Sequence, residues 1–127
     1  MSVILIVEDN EKNMKLVRDV LQAKGYTTIE AVTGEDGVRL ATERKPDLIL
    51  MDIQLPGING IECVRRLKEE LPAVNILMLT VYEETEKIFD SLKAGASGYL
   101  LKQTSAKELI EAITDVHAGS SPMTGVI

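Results

Sequence analysis

Five short apolar or β-branched runs recur along the chain, and a stretch with helical spacing follows each one. The runs are Val3–Val7, Thr27–Ala31, Leu48–Met51, Ile76–Leu79 and Gly98–Leu101. After the first, Met14, Val17 and Leu21 return at helical intervals until Gly25. Thr33 opens a second helix, with Asp36 placed to close a weak capping box, and Lys45-Pro46 closes it. A third carries Ile61, Val64 and Leu67 and stops near Pro72. Ile88, Phe89 and Leu92 mark a fourth that ends at Gly95. Ser105 and Glu108 form a good capping box for the last, which Leu109, Ile113 and Val116 carry to Gly119. Runs apolar throughout are buried on both faces, and helical crossovers make them parallel, so the pattern predicts an α/β fold with five parallel strands and helices on both faces. The 127 residues make one ordinary domain with one core. Its expected extent is residues 1–119, and 120–127 (SSPMTGVI) read as a flexible tail or the start of a linker.

Composition narrows the function. Net charge is −6, which argues against nucleic acid as a direct partner because phosphate contacts need a basic face. No stretch approaches the 18 apolar residues of a membrane span, and MSVILIV lacks the basic start of a secretion signal. Cys63 is the single cysteine, so no disulfide closes within the chain. The expected setting is the reducing cytoplasm, away from membranes.

In an open parallel sheet, ligands bind beyond the carboxyl ends of the strands. Glu8 and Asp9 follow the first run, Asp52 the third, Thr80 the fourth and Lys102 the fifth. The second gives only Ala31 and Val32, as an edge strand would. Carboxylates brought close together either share a proton or hold a cation. With oxygen donors and no His or Cys beside them, the natural cation is Mg²⁺, whose usual business is phosphate. A hydroxyl and an ammonium on the same rim suit phosphoryl oxygens. Asp52 therefore reads as a rigidly held nucleophile, with Pro56 and Gly57 shaping the loop beside it.

The motifs VEDN, LILMDIQLPGINGIE, LT and GYLLK, in this order and spacing, resemble the response-regulator receiver domain of bacterial two-component signalling from Val3 to about Gly119. The resemblance implies a flavodoxin-like (βα)5 fold with strand order 2-1-3-4-5. It makes Asp52 the phosphoacceptor. Asp9 and Asp52 would bind Mg²⁺ directly, Glu8 through water, and Gln54 through its backbone carbonyl. Thr80 and Lys102 would grip the phosphoryl oxygens, with Val81 beside them, and Thr80 and Tyr99 would form the switch. The donor would be a histidine kinase, and the face of helix 4, strand 5 and helix 5 would change partners, with homodimerisation or a C-terminal DNA-binding domain as outputs in transcription regulation. The first half resembles single-domain and hybrid-kinase receivers, whereas GASGYLLKQTSAKELIEAI resembles receivers of LuxR/FixJ-type transcription factors.

Two departures from the family carry expectations. Gln103 stands where many receivers have proline, which predicts a trans Lys102–Gln103 bond, since cis before a non-proline residue costs about 2.5–4 kcal/mol. Val81 is bulkier than the usual Ala or Gly and predicts slow loss of the phosphoryl group. A Mg²⁺-dependent phosphohydrolase is the competing reading, but such enzymes carry an acid two residues after the nucleophile, where this chain has Gln54. A flavodoxin-like nucleotide binder would need a Gly-rich loop after the first strand. The chain is thus expected to catalyse only its own phosphorylation and dephosphorylation, without turnover. Cys63 reads as a structural thiol and His117 as a solvated ring in the last helical turn.

Overall fold

The computed structural model of the chain describes residues 2–53, 55–80, 85–102 and 104–119, the side chains of Thr80 and Thr85 excepted. Strands β1 (Val3–Val7), β2 (Thr27–Ala31), β3 (Leu48–Met51), β4 (Asn75–Thr80) and β5 (Gly98–Leu101) alternate with helices α1 (Glu11–Ala23), α2 (Gly34–Arg44), α3 (Gly60–Glu70), α4 (Thr85–Ala94) and α5 (Ala106–His117). The strands form one parallel sheet in the order β2-β1-β3-β4-β5. The expected fold and strand order are therefore those observed.

Strand periodicity splits the core into two layers. Ile4, Ile6, Leu48, Leu50, Leu77 and Leu100 point to α1 and α5, where Met14, Leu21, Leu109 and Ile113 meet them. Leu5, Val7, Ile49, Met51, Met78 and Tyr99 point to the other face, against Ala41, Cys63, Val64, Leu67 and Ile88 of α2, α3 and α4. From β1 the chain leaves over one face through α1, and it enters the central strand β3 over the other through α2. The connections part between the carboxyl ends of β1 and β3, which opens a crevice there.

Helix ends follow their chemistry with two differences from the sequence reading. Ser105 and Glu108 make the full capping box: Ser105 Oγ accepts from the Glu108 N–H at 3.1 Å and Glu108 Oε1 accepts from the Ser105 N–H at 3.3 Å. At α2 only half of the box forms. Thr33 Oγ1 accepts from the Asp36 N–H at 3.1 Å, while the Asp36 carboxylate faces Arg39 at 3.5 Å. The second difference is at the other end of α2. Lys45, before Pro46, adopts the left-handed conformation (φ 47°) rather than an extended one, and its N–H still donates to Ala41 O at 2.8 Å. The right-handed α-region is disfavoured for a residue before proline, and the left-handed turn ends the helix while keeping that last bond.

Candidate functional site

Backbone pairing continues one residue past the ends of β1 and β3. The Glu8 N–H donates to Ala31 O at 3.0 Å and the Asp52 N–H to Val7 O at 3.1 Å. Both carboxylates thus stand on backbone fixed by the sheet. Glu8 is 4% exposed and Asp52 7%, while Asp9 projects into solvent. Asn10 then turns the chain into α1, its Oδ1 accepting from the Asn13 N–H at 3.1 Å. After Asp52 the chain tucks Ile53 and Leu55 back into the core. Gly57, at φ 79°, turns it outward, and Glu35 Oε2 accepts from the Ile58 N–H at 3.3 Å, tying this loop to α2.

Lys102 follows β5 and reaches back across the rim. Its Nζ lies 2.7 Å from Glu8 Oε1 and 3.3 Å from Asp52 Oδ2. The other Glu8 oxygen accepts from the Asn10 N–H at 3.1 Å. Burial holds the Glu8 carboxyl above the usual range for glutamate, against the bonds from Lys102 and Asn10, and the charge of Asp52 adds to the rise. For Lys102, burial pulls the ammonium down, but the Glu8 bond and the charges of Asp52 and Glu8 outweigh it and its pKa is raised.

One ammonium does not neutralise three carboxylates. Glu8, Asp9 and Asp52 each offer an oxygen, and the three oxygens lie within 4.8 Å of one another. Opposite ligands of Mg²⁺ stand about 4.2 Å apart at bond lengths of about 2.1 Å, so this oxygen-only set fits a small hard divalent cation that keeps several waters.

Of the residues singled out in the sequence, Glu8, Asp9, Asp52 and Lys102 converge. Thr80 ends β4 opposite Leu101 of β5, which places its backbone at the same rim. Tyr99 is fully buried in the layer facing α3 and α4. Gln54, Val81 and Gln103 lie outside the described residues, and so do the Lys102–Gln103 bond and residues 120–127. Sequence reasoning missed the close Glu8–Lys102 pair, because the lysine's choice among three carboxylates is a matter of geometry. It also missed Asn10 as the residue that caps α1 and fixes Glu8, although an Asn just before a helix was a legible signal.

A rim of acidic groups and one lysine at the carboxyl end of a 2-1-3-4-5 sheet defines a class, and comparison agrees. The profile of the response regulator receiver domain matches residues 4–114, and the chain belongs to that family. As a receiver domain it is a part of phosphorylation-dependent signalling. The polar-differentiation response regulator DivK of Brucella anthropi is 40% identical over 115 residues, covering 87% of this chain and 91% of that protein. Among solved structures, a LuxR-family two-component response regulator from Aurantimonas sp. SI85-9A1 superposes with a TM-score of 0.89 at 31% identity, over 98% of this chain and 90% of that one. A CheY-like receiver domain protein from Methanospirillum hungatei JF-1 gives 0.90 at 28% identity, over 94% and 95%.

Proposed function

We propose that the protein is a switch whose Asp52 accepts a phosphoryl group from the phosphohistidine of a histidine kinase. The observation that carries this reading is the Asp52 carboxylate itself. It is nearly buried, on a strand end, 3.3 Å from Lys102 and in one cluster with Glu8 and Asp9. A carboxylate oxygen of Asp52 attacks phosphorus, the P–O bond forms as the P–N bond to the donor imidazole breaks, and the imidazole leaves with its electron pair. When bound, Mg²⁺ supplies the positive charge that lets two anions meet. Asp9 and Asp52 would hold it directly, with the Gln54 carbonyl as a further ligand and Glu8 through water.

Lys102 neutralises charge on the transferred oxygens, and it moves to them from Glu8 and Asp52. The Thr80 hydroxyl and the backbone at Val81 take the other oxygens. Thr80 and Tyr99 then report the modified state to the face of α4, β5 and α5. A groove of about 220 Å³ between α1 and α5, lined by Leu16, Val17, Val20 and Leu109, opens beside Lys102 and offers the donor an apolar approach. Leu16 is 66% exposed there. The protein binds no nucleic acid itself, works in the cytoplasm, and acts through a partner, a second copy or an output domain that controls transcription. It performs one phosphorylation per molecule and no substrate turnover. Incubation with acetyl phosphate and a phosphate ester in Mg²⁺ tests this: stoichiometric labelling is expected, and sustained ester hydrolysis would refute it.

A further inference from the structure

Tight packing at most close-packed glycines of this fold involves side chains. A Cβ at Gly37 would meet Val7 Cγ2 at 2.9 Å, and one at Gly95 would meet Lys68 Cγ at 2.7 Å. Gly60, the first residue of α3, is different. The three nearest atoms to a Cβ there are all backbone: the carbonyl oxygen and carbon of Asp52, and Cα of Ile53 at 2.8 Å. Gly60 is not among the glycines with positive φ, so conformational freedom is not what its position demands. Space is. The Gly60 N–H also donates to Ile53 O at 2.7 Å, so the helix start is bonded to the peptide next after the one that it touches.

On its other side that segment is tied to β1 by the Asp52 N–H bond to Val7 O at 3.1 Å. Asp52 is thus held on both sides of its Cα, by its N–H at β1 and by its carbonyl group at the bare Cα of Gly60. The Asp52 carbonyl carbon is bonded to the same Cα that carries the carboxylate, so any displacement of the peptide carries the carboxylate with it. We propose that Gly60 is a positioning residue for phosphoryl uptake: its missing side chain seats α3 against the Asp52 peptide and fixes where the carboxylate stands relative to Lys102 and Asp9. This rests on the reading of Asp52 as the phosphoacceptor.

The test compares wild type, Gly60→Ala, Val64→Ala and Asp52→Asn. Val64→Ala is the stability control, because Val64 lies fully buried one turn further along the same helix and faces the core. Two quantities are read: the initial rate of labelling by acetyl phosphate at saturating Mg²⁺, and the Mg²⁺ dissociation constant by calorimetry. A misplacement of about 1 Å at a reacting group lowers rates up to about 100-fold, so Gly60→Ala is expected to label about 10- to 100-fold more slowly and to bind Mg²⁺ more weakly. Val64→Ala is expected to stay within about twofold on both, because its cavity weakens the fold without moving the rim. Equal behaviour of the two variants overturns the proposal. Normal labelling of Asp52→Asn would instead overturn the phosphoacceptor reading.

Should Gly60→Ala fail to fold, hydrogen exchange in the wild type decides. The Gly60 and Asp52 amides are expected to gain protection together when Mg²⁺ and beryllofluoride are added. Protection gained at Asp52 with none at Gly60 overturns the proposal.

Discussion

At the scale of single residues, the site is a problem of charge held out of water. Glu8 is buried, bonded by Lys102 on one oxygen and by the Asn10 N–H on the other. Lys102→Met removes the counter-charge and leaves Glu8 beside Asp52. Breaking such a buried pair costs about 3–5 kcal/mol, and the Lys102 side chain, 15% exposed, places this one near the low end. The loss depends on pH with a definite sign. A carboxyl raised above its unfolded value of 4.5 contributes stability that is fully present below 4.5 and is lost as pH rises through the folded value. Without Lys102 that folded value rises further. Denaturation in EDTA is therefore expected to show the variant weakest at neutral pH and closest to wild type below 4.5. Cys63 gives a second pH signature. Burial, with the charge of Glu35, pushes its thiol up from 9.0 to about 12. The thiolate is the reactive form, so native Cys63 is expected to resist iodoacetamide at pH 8, with labelling that follows unfolding. The stability it lends is full below 9.0 and lost towards about 12, and Cys63→Ala is expected to flatten that part of the alkaline decline.

At the scale of elements, much of the fold was legible because strands buried on both faces are continuous apolar runs. Four of the five strands begin and end where those runs do. The exception, β4, gains Asn75 and Thr80, polar ends that pair by backbone and leave no trace in an apolar pattern. The Asn10 and Asn59 caps were not singled out, although both accept the expected bond, from the Asn13 and Glu62 N–H groups; the Glu62 carboxylate itself turns to Arg65 and Arg66 rather than back to the cap. The Ser105 box was read correctly and matters to the site, because it starts α5 just after Lys102. Ser105→Ala is expected to lower stability by about 1 kcal/mol in a denaturant titration. In α4, Ile88, Phe89 and Leu92 do not all face inward, as their spacing implied: Ile88 is buried and Phe89 is 48% exposed. Phe89→Ser is therefore expected to leave stability within about 0.5 kcal/mol. If the α4 face mediates association, light scattering with beryllofluoride will show a mass increase in wild type that this variant lacks.

At the scale of the whole molecule, two helical layers clamp a sheet whose central strand ends meet as a cluster of like charges. Its rim converges by topology, so the acidic set could be read from strand ends alone. The contact of Gly60 with the Asp52 peptide could not, because it depends on how closely α3 approaches β3. A cation that binds only the folded cluster stabilises the fold by mass action: Mg²⁺ at 100 times its dissociation constant is expected to add about 2.7 kcal/mol. Asp9→Ala should lose most of that gain, whereas a full gain in this variant would place the cation elsewhere. The most direct measurement of the central claim is the intact mass of wild type and Asp52→Asn after incubation with acetyl phosphate, with Mg²⁺ and with EDTA. The wild type is expected to gain one phosphoryl group in Mg²⁺ and little in EDTA, and Asp52→Asn to gain none. A folded Asp52→Asn protein that takes up the same single phosphoryl group would contradict the assignment of Asp52.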